Sequence, residues 1–308
     1  MIDPRDTAVL MIVFNRPDLT RKVFERIREA QPRRLYVEAD GPRAGRPDDL
    51  ESTKETRAIV ELVDWDCEVK TLFREQNLGV RTAIKTGLDW FFEQEPEGIV
   101  LEDDCVPEPT FFRFAAELLD RYRDDERVAT ITGSNLLLES REFQDSYYFT
   151  RYLFVWGWAG WRRTWNQFDL DISSWPRFRD EGRLRRVFPV ARSLKYWTWV
   201  FDRTHAGKFN SWAYPFFYSQ LIRNQMSIVP ARNLISNLGW GSESTHTSNK
   251  NPEMGTATFP MQFPLQHPPF MVPDEAADQF VEDLVFAKPL HRKIRNRLGR
   301  LGSKVTGG

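Results

Sequence analysis

The first hundred residues alternate short, continuously apolar runs with segments of helical periodicity, and few architectures accept that order. Residues 7–14 (TAVLMIVF) are apolar without alternation, as in a strand buried on both faces. Asn15-Arg16-Pro17-Asp18 breaks the run, and Asp18 is placed to cap a helix in which Leu19, Val23 and Ile27 recur at helical spacing. A second strand is predicted over Arg34–Ala39, ended by Asp40-Gly41-Pro42. A helix over about 50–63 leads to a strand over Glu68–Phe73 and then to Gln76-Asn77-Leu78-Gly79. A helix over about 80–92 precedes a fourth strand at 98–101. This alternation predicts an α/β fold with a mainly parallel sheet and right-handed crossovers. Ligands of such sheets bind beyond the carboxyl ends of the strands, where Arg16, Asp40, Asn77 and the acidic run at 102–104 all fall.

That acidic run is Glu102-Asp103-Asp104, into which the fourth strand empties before Pro107. Adjacent carboxylates repel one another, and burying them unpaired is costly. A hard divalent cation that prefers oxygen ligands, Mg²⁺ or Mn²⁺ carrying a diphosphate, would supply the counter-charge. The plainer reading is a solvated acidic turn.

The 308 residues suffice for one large domain or two small ones, and a net charge of -1 gives no case for nucleic-acid binding. Cys67 and Cys105 form no C-x-x-C pair, which fits a reducing cytoplasm. The N-terminal stretch lacks the basic start and cleavage site of a signal peptide. No segment is long enough to span a bilayer, so a soluble or peripheral protein is expected. Eleven tryptophans are more than a core requires, and aromatics crowd between Tyr147 and Trp240. Clefts of that composition stack against sugars or nucleobases, although core packing is the commoner use.

In the second half, 111–123 reads as a helix and Val128–Thr132 as a strand ending in Gly133-Ser134-Asn135. FVWGWAGWRRTW (154–165) reads as a Gly/Trp-rich turn. Helical segments continue to 212–224, followed by Ser227–Pro230 and a loop at 238–247. Prolines crowd from 252 to 273, and the stretch from Lys288 to Lys304 carries seven Lys or Arg and no acid. With Val285, Phe286, Leu290, Ile294, Leu298 and Leu301 as an apolar stripe, this tail suits an anionic membrane surface; the alternative is a solvated tail.

Taken in order, VFNRPDLTRKV, EADGPR, NLGVRTAIKTGLDWFF, VLEDDCVPEPTFF, WGWAGWRRTW and NLISNLGWGSESTHT resemble the GT-A nucleotide-sugar glycosyltransferases. Within these the chain is most similar to a bacterial group akin to N-acetylglucosaminyltransferase I, over roughly 7–247. The resemblance implies a GT-A domain over 1–270, with a donor half at about 1–135 and a Trp-rich acceptor half at about 136–250; a Pro-rich wrap and basic tail occupy 271–308. It implies metal-dependent transfer of a sugar, with inversion, from a UDP-sugar to a glycan or lipid-linked acceptor in cell-surface polysaccharide assembly. The expected place is the cytoplasm, peripheral to the inner membrane, with no nucleic-acid partner.

By position, Asp104 and His246 would hold Mn²⁺ or Mg²⁺, with Glu102 and Asp103 near the ribose and the metal's waters. Asp40 would face the uracil ring and Arg16 the nucleotide phosphates, with Asn15 also among the nucleotide-binding residues. Arg81, at a helix start that favours anions, is also placed for a phosphate. The plainer readings are an Arg16–Asp18 surface pair and a structural His246. Ser134, Asn135, Trp156, Gly157 and Trp158 would frame the acceptor cleft. At Ser211-Trp-Ala-Tyr-Pro-Phe the chain departs from the family pattern, which has an aspartate base where Ala213 stands. Asp202, Tyr214 and Glu243 are candidate substitutes, and Asp202 is taken first as an acid in the same region. Two rivals remain. One is a nucleotide-sugar-binding protein without catalysis. The other is a sugar nucleotidyltransferase, whose usual glycine-rich opening loop VFNRPDLTRK lacks.

Overall fold

The computed structural model describes residues 2–137, 141–239 and 257–286. The first four apolar runs form β1 (Val9–Val13), β2 (Arg34–Ala39), β3 (Glu68–Phe73) and β4 (Glu97–Glu102), paired in parallel in the order β3-β2-β1-β4. The intervening chain forms α1 (Pro17–Ala30), α2 (Pro47–Ala58) and α3 (Val80–Gln94). At the start of α1, Pro17 takes the first helical position, and Arg16 rather than Asp18 is the cap residue. Asp18 lies inside the first turn, where its charge complements the helix dipole.

Next come β5 (Cys105–Pro107), α4 (Thr110–Arg121), β6 (Val128–Thr132), β7 (Tyr147–Thr150) and β8 (Trp158–Trp161). A helical layer follows, with α5 (Arg162–Trp165), α6 (Trp175–Asp180), α7 (Leu184–Val187), α8 (Ala191–His205) and α9 (Ala213–Leu221). Then come β9 (Met226–Pro230), β10 (Ile235–Asn237) and α10 (Glu275–Leu284). The main sheet is eight-stranded, β3-β2-β1-β4-β8-β6-β9-β7, and β5 and β10 make a separate antiparallel pair.

The Gly/Trp run predicted as a turn contains a strand. β8 lies antiparallel between β4 and β6, with Val100 opposite Trp158 and Gly160 opposite both Gly98 and Thr130. Its tryptophans point to opposite faces. Trp158 packs with Phe92, Trp212 and Phe216 on the α3 side, while Trp161 joins the core containing α4 and donates its indole N–H to the Leu119 carbonyl at 3.3 Å. Leu88, Phe91 and Phe92 of α3 are buried against the same sheet face as Trp158. Each such side chain contributes about 2–3 kcal/mol.

The two edges of the sheet differ. Phe149 of β7 is bridged by Pro273, and the Asp274 N–H donates to the Phe149 carbonyl at 2.8 Å. β3 has no strand on its outer flank among the described residues. Residues 275–284, placed in the tail from sequence, form a helix that turns two acids inward. Asp278 accepts from the Thr150 hydroxyl and from Arg151 Nε at 2.7 Å. Glu282 accepts from the Tyr152 hydroxyl, and its Oε1 has no partner. No helix among the described residues is long and apolar enough to cross a membrane. Residues 288–304 lie outside the described residues.

Candidate functional site

β1 and β4 are hydrogen-bonded neighbours running the same way, so the residues that follow them emerge side by side. Arg16, three residues beyond β1, therefore meets the acids that end β4. Its Nε donates to Asp103 Oδ2 at 3.1 Å, and its Nη2 donates to Asp103 Oδ1 and, at 2.9 Å, to Asp104 Oδ2. The guanidinium thus pairs with the acidic run and not with Asp18. Burial pushes the Asp103 carboxyl up to about 6 against the opposing charge of Arg16. Glu102 lies two residues beyond Val100 and so shares its face of the sheet with α3, and no side-chain hydrogen bond offsets its burial. Burial, then the charges of Asp104 and Asp103, push its carboxyl up to about 8.

The short β5–β10 ladder completes the acidic corner. Asn237 stands opposite Cys105, and the Leu238 N–H donates to the Asp104 carbonyl at 2.8 Å. Gly239 follows so closely that a Cβ there would overlap Asp104 Oδ2. The chain towards His246 leaves the described structure at this corner; His246 and Glu243 lie outside the described residues.

Asp40, at the end of β2, organises the neighbouring loop. Its carboxylate accepts from Gly41 N–H at 2.9 Å, Leu78 N–H at 2.8 Å, Gly79 N–H at 3.0 Å and Asn77 Nδ2 at 2.9 Å. Gly41 permits this closure, since a Cβ there would come within 2.6 Å of the Gln76 backbone nitrogen. Asn15 donates to Asp49 Oδ1 at 2.8 Å, and Arg43 donates to the same carboxylate. Those hydrogen bonds, led by that of Arg43, hold Asp49 down to about 2. Arg81 reaches away from the acids, to the Leu170 carbonyl and Asp171, both at 3.0 Å.

On the acceptor side, Ser134 Oγ donates to the Trp156 carbonyl at 2.7 Å, and the Gly133 N–H donates to the Gly157 carbonyl at 2.7 Å. Gly157 has a φ of +60°, and a Cβ there would press on Ile235 of β10. Asn135 is buried, its amide donating to the carbonyls of Pro230 at 2.9 Å and Ala231 at 3.2 Å. Trp158 is 1% exposed, so its faces are core surface, while Trp156 is half-buried between two clusters. Ala213 opens α9 immediately after the buried Trp212. Asp202 is held in the helical layer, accepting from Trp175 Nε1 and Arg179 Nη1, both at 3.0 Å.

Sequence reasoning passed over Arg43, Asp49 and Gly239. Asp48 and Asp49 are indistinguishable as sequence, and only the fold shows which one meets Asn15.

Among the described residues, no three His, Cys, Asp or Glu side chains converge to hold a metal ion by themselves. Asp104 offers carboxylate oxygens at the rim of the sheet. This donor set fits a cation that draws its remaining oxygens from phosphate and water, and does not fit an all-protein cage.

Fold and site together define an α/β protein with a mainly parallel sheet and an arginine-bridged acidic cluster at a carboxyl end. No family model matches the chain, and no curated protein matches it. Among solved structures, a UDP-glucose pyrophosphorylase complexed with UDP-glucose is similar to 52% of this chain and 78% of its own, with 11% identity and a TM-score of 0.33.

Proposed function

We propose that this chain is a metal-dependent glycosyltransferase that takes a sugar from a nucleotide-sugar, with UDP as the nucleotide. The single observation behind this reading is the corner at β4, where Asp103 and Asp104 share Arg16 beside the Gly239 approach. Carboxylates for a cation and a guanidinium for phosphate stand there within one hydrogen bond of each other.

Asp104 would hold Mn²⁺ or Mg²⁺ together with the donor's diphosphate. The bound cation would supply neutralisation of the charge that develops on the departing nucleoside diphosphate. Arg16 would pair with phosphate oxygens, and the loop closed by Asp40 would seat the base. The acceptor hydroxyl would enter past Trp156 and Ser134, and inversion would follow from attack opposite the leaving group. A glycan or lipid-linked acceptor of surface-polysaccharide assembly is the proposed partner, met at the inner membrane through the basic tail.

One observation favours a second reading, nucleotide-sugar binding without transfer. Ala213 offers no proton acceptor, and Asp202 is already engaged by Trp175 and Arg179. Calorimetry with UDP and GDP, each with Mn²⁺ and with chelator, tests the donor site. Mn²⁺-dependent preference for UDP supports both readings, and turnover of UDP-sugars then separates them. Binding of neither nucleotide removes both. Formation of a UDP-sugar from UTP and a sugar phosphate would instead identify a nucleotidyltransferase.

A further inference from the structure

Arg16 has an anchored backbone and a long, partly exposed side chain. Its carbonyl accepts from Thr20 N–H at 2.9 Å and Thr20 Oγ1 at 2.8 Å, Pro17 follows it, and Asn15 before it is tied to Asp49 at 2.8 Å. The side chain is 37% exposed and reaches across to the acids at β4.

At Asp104 the guanidinium occupies a decisive place. Oδ2 receives Nη2 at 2.9 Å and has Gly239 against its other flank, while Oδ1 lies 3.4 Å from the Cys105 thiol, which donates to it. A divalent cation bonded to Oδ2 would stand beside a full positive charge in a half-buried setting, where repulsion is weakly screened. Asp104 can take the cation readily only when the guanidinium pairs elsewhere. A guanidinium forks onto phosphate oxygens as well as onto carboxylates, so one class of ligand can draw it away without leaving it unpaired.

We propose that Arg16 is the resident counter-ion of the acidic cluster. In the free protein it occupies the charge position of the divalent cation, and a phosphate-bearing ligand admits the cation by giving Arg16 a second anion. This rests on the reading of residues 102–104 as a metal–diphosphate site. The free protein therefore holds the cation weakly, and cation and diphosphate enter together.

The test is Mn²⁺ binding without nucleotide, followed by the loss of the free Mn²⁺ paramagnetic resonance signal. It compares the wild type with Arg16→Met, Arg16→Lys and the double variant Arg16→Met/Asp104→Asn, each checked for folding by circular dichroism. Arg16→Met is expected to bind Mn²⁺ about tenfold more tightly than the wild type. Arg16→Lys, which keeps the charge and loses the fork, is expected to fall between them. The double variant is expected to lose the gain. Equal Mn²⁺ affinity in the wild type and a folded Arg16→Met overturns the proposal. Should Arg16→Met not fold, the neutral Arg16→Gln takes its place, and unchanged affinity there overturns it equally. Mn²⁺-dependent UDP binding by the wild type with no gain in the variants removes the counter-ion role alone. Absence of Mn²⁺-dependent UDP binding, with no Mn²⁺ bound by any variant, removes the metal–diphosphate reading as well.

Discussion

A β-carbon at Gly239 would overlap Asp104 Oδ2 and lie 2.9 Å from Asp104 Cγ. The β5–β10 ladder and the Leu238-to-Asp104 backbone bond fix this approach, so an added methyl must move the carboxylate. Gly239→Ala is expected to weaken Mn²⁺-dependent UDP binding about tenfold, or about 1.4 kcal/mol. The melting temperature should hardly change, because a side-chain end yields cheaply. Calorimetry and a thermal melt on the same sample check both halves; unchanged affinity would take Asp104 out of the ligand site.

The neighbouring acids should separate stability from binding. Asp103 is 4% exposed and takes two of the three bonds that Arg16 makes to the acidic run, so Asp103→Ala leaves the guanidinium with Asp104 alone and should cost about 1–3 kcal/mol in urea unfolding. Asp104 stands further out, and Asp104→Ala should cost under about 1 kcal/mol while abolishing Mn²⁺-dependent nucleotide binding. Retained Mn²⁺-dependent UDP affinity in Asp104→Ala would refute its assignment as metal ligand.

Glu38 gives the fold a pH dependence of definite sign. It is fully buried under Gly87 of α3, its Oε2 has no partner, and Arg74 Nε stands 3.4 Å from Oε1. Burial raises its carboxyl from 4.5 to about 8, outweighing Arg74. Between those values the fold keeps a proton that the unfolded chain has released. Stability from this group is therefore full below the lower value and declines as pH rises through the window. Glu38→Gln removes the decline. Its stability relative to wild type should improve by about 1–3 kcal/mol between pH 4.5 and 8, read from urea midpoints at the two ends. An unchanged difference would show that Glu38 ionises normally.

Asp278 should prove a structural acid. Asp278→Ala leaves Arg151 and the Thr150 hydroxyl without their shared partner and should cost about 3 kcal/mol in urea unfolding. A loss under about 0.5 kcal/mol would mean that α10 docks by its apolar face alone.

The strands legible in sequence were those whose signal is local. β1 and β4 are buried on both faces and read as unbroken apolar runs, whatever their neighbours. β8 was illegible because Gly157 and Gly160 mimic a turn, and Trp158 and Trp161 fill opposite cores. β5 and β10, three residues each, exist only through one another. Within the site, strand ends foretold that Arg16 and Asp103 belong to one rim. That Arg16 passes over Asp18 for Asp103 and Asp104 depends on β1 lying beside β4, which no spacing in the sequence encodes. Spacing also could not show that Trp156 stays partly open while Trp158 is sealed in.

The unequal edges of the sheet bear on how copies of this chain could associate. At β7 an incoming strand would meet Pro273, which has no N–H to offer, and an Asp274 N–H already committed to Phe149. Among the described residues, strand addition to the main sheet is left with β3. A contact that uses the same strand on both partners is two-fold and consumes the open edge of each. Growth by the edges of the main sheet would thus end at a pair.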